Sequence, residues 1–235
     1  MATDTLLPAT ATPPLRHGDR MNREEFERRW QSMPDLKFAE LVEGVVYMSA
    51  ALSVDHGTPH FTLQGWLFLY QAQTKGVTGA GNTSVRFDVR NMPQPDSLLR
   101  IDENFGGQSR ISEDRYLEGG PELIVEIANT TKSRDLGVKK AVYLQNEVRE
   151  YIVWRIQEKA IDWFILREDR YVSLLPGPDG ITRSEVFPGL WLDTAALIAG
   201  DLAKVLHAAH LGIGSPEHTA FIAELRNRET ASGLR

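Results

Sequence analysis

No cysteine occurs anywhere in the 235 residues, which excludes structural disulfides and any thiolate-held zinc or iron–sulfur centre. A reducing, cytoplasmic compartment is the corresponding expectation. No apolar run approaches the roughly 18–20 residues of a membrane span, and the N-terminus lacks the charged-then-apolar layout of a secretory signal. A soluble protein with no membrane partner is expected. An excess of positive charge is missing too: the formal net charge is −6, which argues against a broad phosphate-binding surface and leaves room for a local basic groove. There is no glycine-rich phosphate loop. Gly79-Ala80-Gly81-Asn82 has the composition of a turn, no helix opening on Lys-Ser or Lys-Thr follows it, and nucleotide binding there is discounted. No internal repeat and no coiled-coil heptad run stands out.

What is present is enough for one sizeable core, since 42% of residues are hydrophobic and 25% charged. Residues 1–20, rich in Ala, Thr and Pro, read as a flexible lead, residues 21–212 as one domain, and residues 213–235 as a C-terminal helix and tail. Asn22 with Glu25 predicts a capped short helix through Trp30. Phe38 to Ser49 reads as two strands about Glu43-Gly44, or one bent strand, with Glu40 and Glu43 as its acids. Ser53 to Lys75 predicts a long helix with Thr58 as N-cap and Pro59 as its first residue. His56 and His60 are four apart, which admits a metal reading, but no third ligand is evident and structural histidines are expected; His56 is left as a possible cleft residue. Two strands are predicted around the Gly79 turn, then one over Asp96–Ile101 and a polar excursion to Gly120. Glu150–Ile156 and Ala160–Arg167 predict a hairpin, with further antiparallel strands over Tyr171–Leu175 and Thr182–Phe187. Two helices, from Asp193 to about His210 and from Ser215 to about Arg228, close the chain. The sheet is therefore expected to be mixed.

The stretch Pro121–Tyr151 organises the rest. Glu126 interrupts the apolar strand-like run Leu123, Ile124, Val125, Ile127, so its carboxylate must face a cleft or find a cation. Asp135, Lys139 and Tyr143 follow at steps of four, along one side of a helix. On spacing alone the first two read as a solvated i,i+4 ion pair stabilising by about 0.3–0.5 kcal/mol. Asp96, at the mouth of the run Ser97–Ile101, shifts the balance. Two carboxylates on two strand-like segments, with a lysine close behind, suit a divalent cation and a phosphodiester.

The order Glu40-Leu-Val-Glu-Gly, His56, Pro95-Asp96, Glu122-Leu-Ile-Val-Glu126-Ile, Arg134-Asp135-Leu-Gly-Val-Lys139, Tyr143 and Glu150-Tyr-Ile-Val-Trp resembles the Uma-type putative restriction endonuclease family, a branch of the PD-(D/E)XK nuclease superfamily. The likeness spans about residues 36–190. It implies an α/β (α+β) fold with a restriction-endonuclease-like core, a mixed central sheet flanked by helices. It also implies Asp96 and Glu126 as metal-binding acids, Glu40 as a further acid, and Lys139 as the lysine. The superfamily lysine usually lies two residues past the glutamate, where this chain has Ala128. Mg²⁺ or Mn²⁺ would suit oxygen ligands of this kind. Tyr143 is expected to bond the lysine or a phosphate, or simply to pack, and Lys132, Arg134 and Lys140 to meet flanking phosphates or solvent. The implied activity is metal-dependent hydrolysis of DNA, and the alternative is a binding or assembly module with little turnover. A homodimer through Phe221, Ile222 and Leu225 of the last helix is considered beside the option that these residues cover their own core.

Overall fold

In the computed structural model, which describes residues 12–48, 53–129 and 131–233, helices flank a mixed six-stranded sheet. Asn22 caps α1 (Arg23–Gln31) by accepting from the Glu25 N–H, as the Asn-x-x-Glu spacing predicts. β1 (Ala39–Val42) and β2 (Val45–Met48) form a hairpin whose turn residues, Glu43 and Gly44, both have positive φ, the requirement of a tight two-residue turn. Ser49 lies outside the described residues, as does the expected lead as far as residue 11. The later part of that lead is packed: Leu15 is buried, and the Gly18 N–H donates to Val46 O.

α2 (Val54–Gln73) fills the expected stretch but opens a turn before the cap expected at Thr58. Ser53, in extended conformation, precedes it, and Pro59 sits inside, where it cannot donate to the carbonyl four residues before it. That extra turn carries His56 to the end of the sheet. β3 (Val77–Gly81) takes in the glycines expected to form a turn, which moves to Asn82 at φ 49°. They serve close packing: a Cβ on Gly79 would lie 2.8 Å from Gln71 Oε1, and one on Gly81 2.0 Å from Gln64 Nε2. β4 (Val85–Arg86), β6 (Arg110–Ile111) and β7 (Leu117–Glu118) make a small separate sheet, while β5 (Ser97–Ile101) and β8 (Leu123–Ala128) belong to the large one. α3 (Lys132–Arg134), a π turn (Asp135–Lys139) and α4 (Lys140–Gln145) run on as one helical path. β9 (Glu150–Arg155), β10 (Ala160–Arg167) and β11 (Arg170–Ser173) complete the order β11-β10-β9-β8-β5-β3. Within it only β8 and β9 pair in parallel, and the helical path between them is the crossover such a pair requires.

Two expectations fail at the C-terminal end. The strand expected over Thr182–Phe187 shrinks to β12 (Ile181–Arg183), which pairs with β13 (Trp191–Asp193) outside the main sheet. The N–H groups of Glu185 and Val186 are taken by the buried Glu150 carboxylate and cannot extend a ladder. The helix expected from Asp193 to His210 breaks at Gly200, φ 76°, into α5 (Thr194–Ala199) and α6 (Leu202–Ile213), capped by Asp193 and Asp201. In α7 (Pro216–Gly233), Phe221 and Leu225 are buried in the chain's own core, so the contact considered for a dimer is already in use.

Strand alternation divides the core. Leu123, Val125 and Ile127 of β8 pack with Leu63, Trp66 and Tyr70 of α2, whereas Ile124 and Ala128 pack with Val142 and Tyr143 on the crossover side. Glu126 shares the latter parity, and so faces the crossover helix. The junction after α2 is tight. Gly76 has φ 90°, and a Cβ there would lie 2.5 Å from the Phe105 ring. Gly76→Ala is expected to destabilise the fold by at least about 1–3 kcal/mol, read as a lower denaturant midpoint at unchanged m-value.

Candidate active site

β5 and β8 pair with Ser97 opposite Val125, so one further step in register sets Asp96 opposite Glu126. Two acids thirty residues apart are thus brought side by side by sheet pairing. Asp96 Oδ2 accepts the Ile127 N–H at 2.6 Å, which fixes its carboxylate at the strand end. Its other oxygen lies 3.2 Å from His56 Nε2, within ion-pair range but outside hydrogen-bond geometry, leaving that nitrogen without a hydrogen-bond partner. His60 is structural, as expected: its Nε2 sits 2.7 Å from Asp96 O and 3.1 Å from Ser97 Oγ.

The crossover helix supplies the cation. Lys139 Nζ lies 2.5 Å from Glu126 Oε1 and 3.2 Å from Glu40 Oε2, and the residue is 2% exposed. Tyr143 donates its hydroxyl to the same Glu126 oxygen at 2.5 Å. Asp135 is buried, accepts from Thr131 Oγ1, and lends its carbonyl to the Tyr151 hydroxyl. The solvated Asp135–Lys139 pair that spacing suggests is therefore not what forms. The π turn contributes: four residues of regular α-helix rotate about 40° past a full turn, and the wider turn takes that rotation back, keeping Asp135, Lys139 and Tyr143 against the sheet. Ala128, two residues past Glu126, is buried among apolar side chains.

At the rim, Arg134 Nη2 lies 3.4 Å from Glu40 Oε1, and its guanidinium stacks over Tyr47 with 4.9 Å to the ring centroid. Its Nε is buried with no hydrogen-bond partner. Lys132 pairs with Glu158, and Lys140 stacks on Phe164, so neither is an unengaged cation. Tyr47, Thr131 and the Ile127 amide join the site with no mark in the sequence. The hairpin places Tyr47, the sheet pairing the Ile127 amide, and the start of the crossover path Thr131.

The electrostatics follow from burial. Desolvation pushes the Glu126 carboxyl up to about 8 against the pull of Lys139, with Asp96, Asp135 and Glu40 adding repulsion. Burial also raises Asp135. For Lys139 burial works against the ammonium, but Glu126, Glu40 and Asp135 outweigh it and hold its pKa well above lysine's ordinary value. Asp96 is pushed up by burial yet ends below its ordinary value through His56, Ile127 N–H and Lys139. The neighbouring Asp96 in turn raises His56 against desolvation.

Among the described residues no three of His, Cys, Asp and Glu are already gathered as a metal cage. The donor set nevertheless fits a hard divalent ion. It is all carboxylate oxygen, and magnesium needs only one or two protein carboxylates beside water and phosphate.

The model of the family Uma2, described as "Putative restriction endonuclease", matches residues 23–195, a span that includes Glu40, His56, Asp96, Glu126, Lys139 and Tyr143. The chain belongs to this family. The Uma2 core also resembles the crystal structure of a putative nuclease belonging to DUF820 from Anabaena variabilis ATCC 29413, with TM-score 0.55 and 14% identity over 76% of this chain and 98% of that one. This is a likeness of fold, a mixed sheet with flanking helices of the nuclease type. No curated protein matches. No helix among the described residues of this Uma2 chain is long and apolar enough to cross a membrane.

Proposed function

We propose that the chain is a divalent-metal-dependent phosphodiesterase that cleaves DNA through a PD-(D/E)XK-type site. The observation that carries this reading is the buried meeting of Glu126 and Glu40 with the Lys139 ammonium, beside Asp96. Asp96 and Glu126 would hold Mg²⁺ or Mn²⁺, with Glu40 completing the shell directly or through water. When bound, the ion supplies Lewis acidity toward a phosphoryl oxygen and an attacking water. The chain's own residues do the rest. Tyr143 and the Ile127 N–H fix the two acids in rotation. Lys139 stays an ammonium and offsets charge that builds on the scissile phosphate. Arg134, stacked on Tyr47 at the rim with 23% of its side chain exposed, meets a phosphate with the exposed part of its guanidinium.

One feature favours a second reading, a binding module with little turnover. Lys139 is tied to two carboxylates and meets a phosphate only when one of them turns toward an ion. Supercoiled plasmid and small phosphodiesters offered with and without Mg²⁺ or Mn²⁺ separate the two. Cleavage of DNA that needs the ion and stops with chelator is expected; DNA binding with no cleavage in either ion removes the nuclease reading.

The raised Glu126 pKa makes a second measurement informative. A carboxyl whose folded pKa exceeds its unfolded value contributes stability below about pH 4.5, and that contribution is lost as pH rises toward 8. The metal-free protein is thus expected to melt at lower temperature as pH climbs through this window. Millimolar Mg²⁺ or Mn²⁺ is expected to restore the midpoint at the upper end, and Glu126→Gln to flatten the slope. A midpoint indifferent to both ions and unchanged in slope by the variant counts against an ion at Glu126.

A further inference from the structure

The longest helix, α2, is buried along one side and bare along the other, and its bare side is apolar. Leu63, Trp66, Leu67 and Tyr70 enter the core. Across the helix Val54, Phe61 and Phe68 are 80%, 79% and 66% exposed. They recur every seven residues, and exposed Thr58, Gly65 and Ala72 alternate with them at the same interval. Large residues alternating with small ones at heptad spacing are what allow one helix to set knobs into the holes of another. Apolar residues on the other faces of α2 hide this repeat in the sequence, and only burial separates it from the core positions.

What covers the stripe follows from its symmetry. Counting from Gly65, Thr58 and Ala72 stand seven residues before and after, Phe61 four before and Phe68 three after. A two-fold interface needs a patch that is complementary to its own copy run in reverse. An antiparallel second copy crossing at Gly65 brings Phe61 of each helix level with Phe68 of the other, on the same flank. Nothing lies within 4 Å of where a Gly65 Cβ would stand, and the crossing point is open. Beside the second half of α2, where Phe61 of the reversed copy falls, a groove of about 140 Å³ is lined by Gln64, Leu67, Phe68, Gln71, Gly79 and Leu98.

We propose that the chain forms a homodimer through α2, paired antiparallel about a two-fold axis at Gly65, with Phe61 of each copy seated in the groove beside Phe68 of the other. The absence of native cysteine supplies a clean test on the full chain. Gly65→Cys is expected to give a disulfide-linked dimer as the main product of mild oxidation, while Leu175→Cys, at a site 74% exposed in the loop after β11, stays single. Phe61→Glu and Phe68→Glu are expected to change the sedimenting mass from two chains to one at tens of micromolar, with an unchanged far-ultraviolet circular dichroism spectrum because neither ring belongs to the core. A single-chain mass for the wild type, a two-chain mass that Phe61→Glu leaves intact, or equal cross-linking of the two cysteine variants overturns the proposal. None of these readouts depends on nuclease activity.

Discussion

Lys139→Met is expected to destabilise the protein by about 3–5 kcal/mol, lowering the melting temperature by about 6–20 °C for a chain of this length. Methionine preserves most of the volume, so the effect is electrostatic. Glu126 and Glu40 lose the ammonium that lies 2.5 and 3.2 Å from them, and Asp135 and Asp96 remain nearby. The remaining acids can relieve the repulsion only by taking up protons, because burial denies them water. The deficit relative to wild type should therefore shrink as pH falls toward about 8, because without its cation Glu126 takes up its proton at higher pH than in wild type. Melting curves of both proteins across pH check this. A variant as stable as wild type near neutrality would mean that Lys139 is solvated and paired as ordinary surface lysines are.

The second large effect concerns activity. Glu126→Ala is expected to lower ion-dependent DNA cleavage by about a thousandfold or more, since Lewis-acid stabilisation of a phosphoryl transition state is several kcal/mol and each 1.4 kcal/mol is roughly tenfold. Loss of folding is not the expected cause. Lys139 keeps Glu40 as a partner, and removing one carboxylate relieves Asp96, Asp135 and Glu40. Glu126→Gln retains an acceptor for the Tyr143 hydroxyl and should match the alanine variant in activity while melting closer to wild type. Single-turnover cleavage beside circular dichroism separates the two contributions. Cleavage by Glu126→Ala at the wild-type rate would end the assignment.

Glu126 was legible because a charged residue inside an apolar strand run must be accounted for, and the β1–β2 hairpin because Glu43-Gly44 matches a tight turn. The step of four linking Asp135, Lys139 and Tyr143 was equally plain, but spacing alone gave them the wrong surroundings. An i,i+4 pair looks the same on a wet face as in a pocket, and the π turn that holds all three against the sheet leaves no sequence mark. The Thr182–Phe187 segment has strand composition, yet the buried Glu150 claims its amides. Propensity registers side chains and not a competing acceptor brought from another strand.

The sequence by itself determined the class of fold and the absence of thiol chemistry, and it singled out Asp96, Glu126 and Lys139 as candidates, because that much depends on composition, local periodicity and residue chemistry. Only the tertiary structure decided that Asp96 stands across from Glu126, that Lys139 is buried between Glu126 and Glu40, and that one stripe of α2 is left bare. Each of those depends on strand register or on which face a helix buries, and both are settled by packing between segments far apart in the chain.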